Sequence, residues 1–153
     1  MRNRIRGTIV VALALALAGP ASAAIDAAVV VRMRQANFDR LLSLHKSIRN
    51  ELRQARPNGA GVSRAVLAEA QLAQQIVAWF PAGSGPDARV RTDARRGIWA
   101  EPRDFQAKAV ALNGALGQLD AAARSGDPGR MRAQQRAVAD ACESCHETYL
   151  SRF

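Results

Sequence analysis

Apolar residues recur every three to four positions along four stretches of this chain, and nowhere do apolar and polar positions alternate with a period of two over a useful length. The pattern predicts four helices and no sheet. The first is expected from Asp26 to Arg53, with Phe38, Leu41, Leu42, His45, Ile48 and Leu52 forming a stripe at helical spacing. It ends at Arg56-Pro57-Asn58-Gly59, because proline lacks the amide hydrogen that a helix interior needs. The second is expected from about Ser63, turning Val66, Ala70, Ala73, Val77 and Phe80 inward until Pro81-Ala82-Gly83-Ser84-Gly85-Pro86 breaks it. The third starts at Pro102, a favoured first-turn residue, buries Phe105, Ala109, Leu112, Leu116 and Leu119, and closes at Ser125-Gly126. Asp127 then caps the fourth, in which Met131, Val138, Cys142, Cys145 and Tyr149 share or border one face. The Arg-rich connection from Asp87 to Glu101 is long for a compact domain, and is expected to lie across the bundle end with Ile98 and Trp99 tucked inward. The fold class predicted is all-α, an antiparallel four-helix bundle.

The first 23 residues stand apart from this pattern. Arg2, Arg4 and Arg6 precede an apolar run from Ile9 to Ala18, and Ala21-Ser22-Ala23 follows as a small-residue cleavage signal. The run is shorter than the ~20 residues that span a bilayer, so residues 1–23 read as a cleaved signal peptide and residues 24–153 as a single exported domain. Without the three leader arginines, the 22 basic residues fall to 19 against 13 acidic ones, a net charge of about +6. That surplus is spread along the chain without a dense basic block, and aromatic residues are few, which argues against a nucleic-acid binder. A basic surface suited to acidic redox partners is the plainer reading.

The most chemically specific string is Cys142-Glu143-Ser144-Cys145-His146, a C-x-x-C-H attachment signal for a c-type haem. Two thiols at this spacing can each add to a haem vinyl group, and the adjoining imidazole can take the iron axially. On a helix the three stand at i, i+3 and i+4, on one face. Three other uses of a cysteine pair compete. A structural zinc site needs four ligands, and the chain offers only His45 beyond the string. A thioredoxin-like dithiol belongs in a βαβ setting that the pattern does not provide. A plain disulfide would make the protein a haem-free exported bundle. No Ser-His-Asp set, close carboxylate pair or Gly-rich phosphate loop appears, so a binding or electron-transfer protein is expected rather than an enzyme.

With the leader, the four-helix pattern and the late C-x-x-C-H, the chain resembles the cytochrome c′ family, the class II c-type cytochromes. Further strings carry the resemblance in order: Arg34-Gln35, Trp79-Phe80-Pro81-Ala82-Gly83-Ser84, Ile98-Trp99-Ala100-Glu101-Pro102-Arg103-Asp104-Phe105, and Ala122-Ala123-Arg124-Ser125-Gly126-Asp127. The resemblance implies one covalently held haem c near one end of the bundle, in the periplasm, with His146 as the proximal iron ligand and Arg34 and Gln35 near the propionates. Trp99 is placed beside the haem. Family members divide by what the first helix presents to the distal face: a Met gives six-coordinate electron carriers, a Leu or Phe leaves an open iron for nitric oxide or carbon monoxide. Here the corresponding residue is Phe38, which has no lone pair to donate, so five-coordinate iron, diatomic gas ligands and single-electron exchange with redox partners are the expectation, with a homodimer through the first two helices as a further possibility.

Other candidates for a sixth ligand give the alternative of a six-coordinate electron carrier. Met33 lies five residues before Phe38 and so points elsewhere on a helix. His45 is seven residues after Phe38, on the same face but ~10 Å further along the axis. Met131 is about four turns from His146 on the same helix and reads as core filling. One departure from the family pattern stands out. Where many members carry a cation four residues after the haem histidine, this chain has Leu150, with Arg152 two further on, so a more apolar proximal side is expected.

Overall fold

Side-chain caps mark three of the helix starts. In the computed structural model, which describes residues 26–88 and 90–151, the Asp26 carboxylate accepts from the amides of Ala28 (2.9 Å) and Val29 (3.2 Å) to open α1, Ala27–Glu51. Asn58 Oδ1 accepts from the Gly61 amide at 3.0 Å to open α2, Gly59–Ala73. After a 3₁₀ turn at Ile76–Trp79 and another at Pro86–Ala88, a single-turn helix α3 spans Gly97–Ala100. Pro102 then begins α4, Pro102–Ser125, and Asp127 caps α5, Pro128–Tyr149, by accepting from Gly129 at 2.8 Å and Arg130 at 3.1 Å. Each such cap satisfies amides that have no intrahelical partner and contributes ~1 kcal/mol. Between α4 and α5 the chain reverses at Gly126, whose φ of 71° is left-handed and favours a residue without a Cβ.

Four long helices therefore form the expected bundle. The expected signal peptide, residues 1–23, and Arg152 lie outside the described residues. Three local expectations are corrected. The second helix starts at Gly59, not near Ser63, because the Asn58 cap holds a Gly-Ala-Gly opening that looks like a breaker in the sequence. It also stops at Ala73 and continues as the 3₁₀ turn, whose tighter winding turns Val77 out to 43% exposure while Ile76 and Trp79 go in. On α1, Leu42 is 48% exposed and falls off the predicted stripe, whose Leu41, Ile48 and Leu52 are buried and which extends back through Arg34 to Val31.

Packing among the four long helices is uneven. α4 lies closely along both α2 and α5, and α1 along α2. By contrast, α1 and α5 come within reach of one another at almost no backbone positions. At the end of the bundle away from the C-x-x-C-H string, Arg132 bridges α5 to α1 by donating to the carbonyls of Leu52 and Gln54, both at 2.9 Å; further along α5 toward the string, Gln135 Nε2 lies 3.4 Å from His45 Nε2. Ile48, Leu116, Leu119, Met131 and Val138 are fully buried in the core beneath.

Candidate functional site

Helical geometry puts the cysteine string where the pattern predicted. Cys142 and Cys145 are half-buried with free thiols, packed against the core, while His146 one residue on is exposed near the end of α5. Burial, then the charge of Glu69 and the neighbouring thiol, push the Cys142 thiol up to about 11. Burial also raises Cys145, opposed by the Lys108 ammonium. Cysteines that act as redox dithiols or nucleophiles are held as thiolates by a positive environment, and this pair has the opposite bias. Among the described residues no three His, Cys, Asp or Glu side chains converge to hold a metal ion, so the string has no partners for a zinc site.

Six aromatic rings join α1 to α5 across the same end. Phe38 on α1 sets its ring edge-on to Trp79 at 5.1 Å and to Phe80 at 6.2 Å. Phe80 in turn meets Trp99 on α3 at 5.9 Å and Phe105 on α4 at 5.0 Å, and Phe105 meets Tyr149 on α5 at 5.3 Å. Edge-to-face contacts at such distances are the favoured geometry for rings. Trp99 is fixed by its indole nitrogen, which donates to the carbonyls of Phe80 and Pro81 at 3.1 Å each. Gly85 makes room for it, since a Cβ there would come within 3.1 Å of the indole ring.

Arg34 and Gln35, adjacent in sequence, part company in the fold. Gln35 is exposed, whereas Arg34 is only 4% exposed. Its guanidinium lies over the Phe80 ring at 4.4 Å and donates to Thr92 Oγ1 at 2.9 Å, to the Ser84 carbonyl at 3.3 Å and to Ser84 Oγ at 3.4 Å. Burial lowers its pKa from the ordinary value. All these partners are neutral, and among the described residues no carboxylate forms an ion pair with it. A buried cation held by neutral dipoles and π faces is set up to receive an anion.

Beyond the string, the connection before α4 is laced to the end of α5. The Arg95 amide donates to the Tyr149 carbonyl at 2.9 Å and the Ser151 amide to the Asp93 carbonyl at 2.7 Å, while the Arg95 guanidinium caps the Glu147 carbonyl at 3.0 Å. Leu150, in the position where the family pattern has a cation, forms an isolated antiparallel bridge with Ala94. Tyr149 donates its hydroxyl to Asp104 at 2.6 Å. Ser84, Thr92 and Asp93 carried no signal of these roles in the sequence. Glu69 did: it falls at helical spacing with the buried Val62, Val66 and Ala73.

The other side chains weighed as iron ligands stand away from Phe38. Met33 is 61% exposed, and Met131 is fully buried in the core. His45 sits between Glu69, whose Oε1 lies 3.3 Å from Nδ1, and Gln135, whose amide nitrogen lies 3.4 Å from Nε2. A donor set of two free thiols and an imidazole on one face, an apolar aromatic surface beside it and a buried cation without an acid suit a covalently held haem with its two carboxylates.

Comparison with known proteins points the same way. A family model for cytochrome c′ matches residues 29–150. The chain is 31% identical over 70 residues to a cytochrome c′ of Rubrivivax gelatinosus, covering 46% of this chain and 54% of that protein. It is 34% identical over 73 residues to a cytochrome c-554 of Cereibacter sphaeroides, covering 48% of this chain and 47% of that protein. These matches thus span about half the length of the curated relatives. Among solved structures, a nitric oxide complex of a cytochrome c prime variant from Alcaligenes xylosoxidans superposes with a TM-score of 0.74 at 26% identity, over 83% of this chain and 97% of that one. A second structure, entitled simply cytochrome c′, gives 0.75 at 26% identity over 83% and 98%.

Proposed function

The chain belongs to the cytochrome c′ family, and from that premise we propose that it is an exported c-type cytochrome which holds one haem between α1 and α5, binds small diatomic gases and exchanges single electrons with redox partners. When bound, the haem supplies an iron that takes a gas molecule and changes charge by one electron. The chain's residues hold and enclose it. Cys142 and Cys145 would hold the group through two thioethers, which would prevent its loss outside the cell, and His146 would hold the iron. Arg34 supplies the counter-charge for a propionate, with exposed Gln35 beside it at the surface. Trp99, fixed by its two carbonyl partners, packs at the group's edge.

Phe38 covers the remaining axial face in this reading. The observation that carries the proposal is the aromatic run from Phe38 on α1 to Tyr149, on the same helix as the cysteine string and four residues after Cys145. Five-coordination is supported by the placement of the alternatives: Met33 outward, Met131 in the core, and His45 set between Glu69 and Gln135. The apolar side chains that α1 and α2 expose, Val29, Met33, Leu42 and Leu67, support a homodimer through these helices.

Expression in a host with haem-attachment machinery tests the anchor. The purified protein is expected to be red and heavier than the processed polypeptide by one haem, resistant to acidified organic extraction. Replacing Cys142 and Cys145 together by Ala should leave a chain of unmodified mass. A colourless wild-type protein of unmodified mass would instead favour a haem-free helical bundle.

A further inference from the structure

Deep in the bundle, a carboxylate lies where the fold has no need of one. Glu69 is fully buried on the apolar stripe of α2, and neither of its oxygens has a hydrogen-bond partner. His45 on α1 brings Nδ1 to 3.3 Å from Glu69 Oε1, out of line for a hydrogen bond, so that this nitrogen too is buried without a partner. On the other side of the ring, Gln135 of α5 sets its amide nitrogen 3.4 Å from Nε2. An amide hydrogen donated there makes Nε2 the acceptor and leaves the imidazole hydrogen on Nδ1, facing the carboxylate. Three unpartnered polar atoms thus meet at one point, with room in their bonding for one more proton.

The pair is also electrically close to the anchor of the proposed haem. After burial, the charge of Glu69 is the next cause that raises the Cys142 thiol, so the carboxylate lies within Coulombic reach of that anchor. The ionisable groups at this point come from three helices: His45 from α1, Glu69 from α2 and Cys142 from α5. On α4 the buried ionisable residue is Asp120, already held by Ser63 Oγ at 2.5 Å and by Arg124. In a weakly polarisable interior, charges at such a site are poorly screened and influence one another strongly.

We propose that His45 and Glu69 together form a proton site linked to the electron held by the protein. The inference rests on the reading of Cys142 and Cys145 as haem anchors. An external one-electron donor delivers one electron to the bound haem, and one proton from solvent enters the pair, converting imidazole and carboxylate of joint charge −1 to a pair of joint charge zero. The electron's charge is then offset and the interior keeps its net charge. The proton belongs to the pair rather than to either residue. Because the reduced protein holds the extra proton more tightly, a rise in pH favours the oxidised form, and the midpoint potential falls as pH rises.

The test uses the haem-loaded protein, in potentiometric titrations from pH 5 to 9 combined with reduced-minus-oxidised infrared spectra. Wild type is expected to show a potential that falls by up to ~59 mV for each tenfold drop in proton activity over part of this range, with an infrared change from a carboxyl or imidazole group. In Glu69→Gln the infrared change should vanish and the slope flatten. Should that variant fail to fold, His45→Leu combined with Glu69→Leu fills both positions with apolar side chains, which buried ion pairs commonly tolerate; it should keep its haem and lose the slope. A potential independent of pH in wild type, or a slope that survives in the variants and therefore belongs to other groups such as the propionates, would overturn the inference while leaving the haem in place. A colourless protein would overturn the cofactor reading, and this inference with it.

Discussion

In the proposed reading, gas access depends on Phe38. Its ring is half-buried and touches Trp79 and Phe80 edge-on, so it can turn aside only by disturbing two neighbours. Replacing Phe38 by Ala should raise the carbon monoxide association rate at least ~10-fold by flash photolysis, equivalent to ~1.4 kcal/mol off the barrier; an unchanged rate would mean that the ring does not cover the iron. The same variant should lose ~1–3 kcal/mol of stability, at the low end for Phe→Ala because the side chain is partly exposed. Arg34 makes a different prediction. Arg34→Ala removes the donors for the Ser84 carbonyl and Thr92 Oγ1, and should lower stability by ~2–3 kcal/mol in urea unfolding while altering the propionate bands in resonance Raman. Lysine should restore little of this, since a single ammonium cannot reproduce the planar fork. The sequence marked Arg34 and Gln35 as a pair. It could not show that one is buried and the other exposed, because the partners that hold Arg34 lie 50 and 58 positions away.

At the level of elements, the chain is most legible where its punctuation is strongest. Pro102, Gly126 and the Asp127-Pro128 pair put α4 and α5 where they are found. The start of α2 was obscured by glycines and its end by a change from α to 3₁₀ winding, and neither changes the apolar count that periodicity detects. Least legible was the lacing of residues 93–97 to the end of α5, which is made mostly by backbone groups. Tyr149 locks this junction through Asp104. Burial first, and then the hydrogen bond to that carboxylate, raise its phenol well above the ordinary value. Stability from a group whose folded pKa is raised is full below the unfolded value, ~10 for tyrosine, and is lost as pH climbs above it. Wild type should therefore lose thermal stability steeply above about pH 10, and Tyr149→Phe should flatten that loss at the expense of ~1–2 kcal/mol near pH 8. Equal slopes in thermal melts of the two proteins would refute the lock.

For the molecule as a whole, the bundle and its helix order were readable from spacing and breakers, and the cofactor from five residues near the carboxyl end. The uneven pairing of the helices was not, since it depends on which pairs pack closely along their backbones and which are joined by side chains such as Arg132 and Gln135. Phe38, at the head of an aromatic run that reaches the helix carrying the cysteine string, is the basis for reading an open iron. The measurement that bears on it most directly is the visible absorption spectrum of the haem-loaded protein, ferric and ferrous, before and after carbon monoxide. A high-spin ferrous spectrum that shifts on adding the gas is predicted. A sharp low-spin spectrum, unmoved by carbon monoxide, would mean that a side chain of the protein already occupies the sixth position, and would contradict the account.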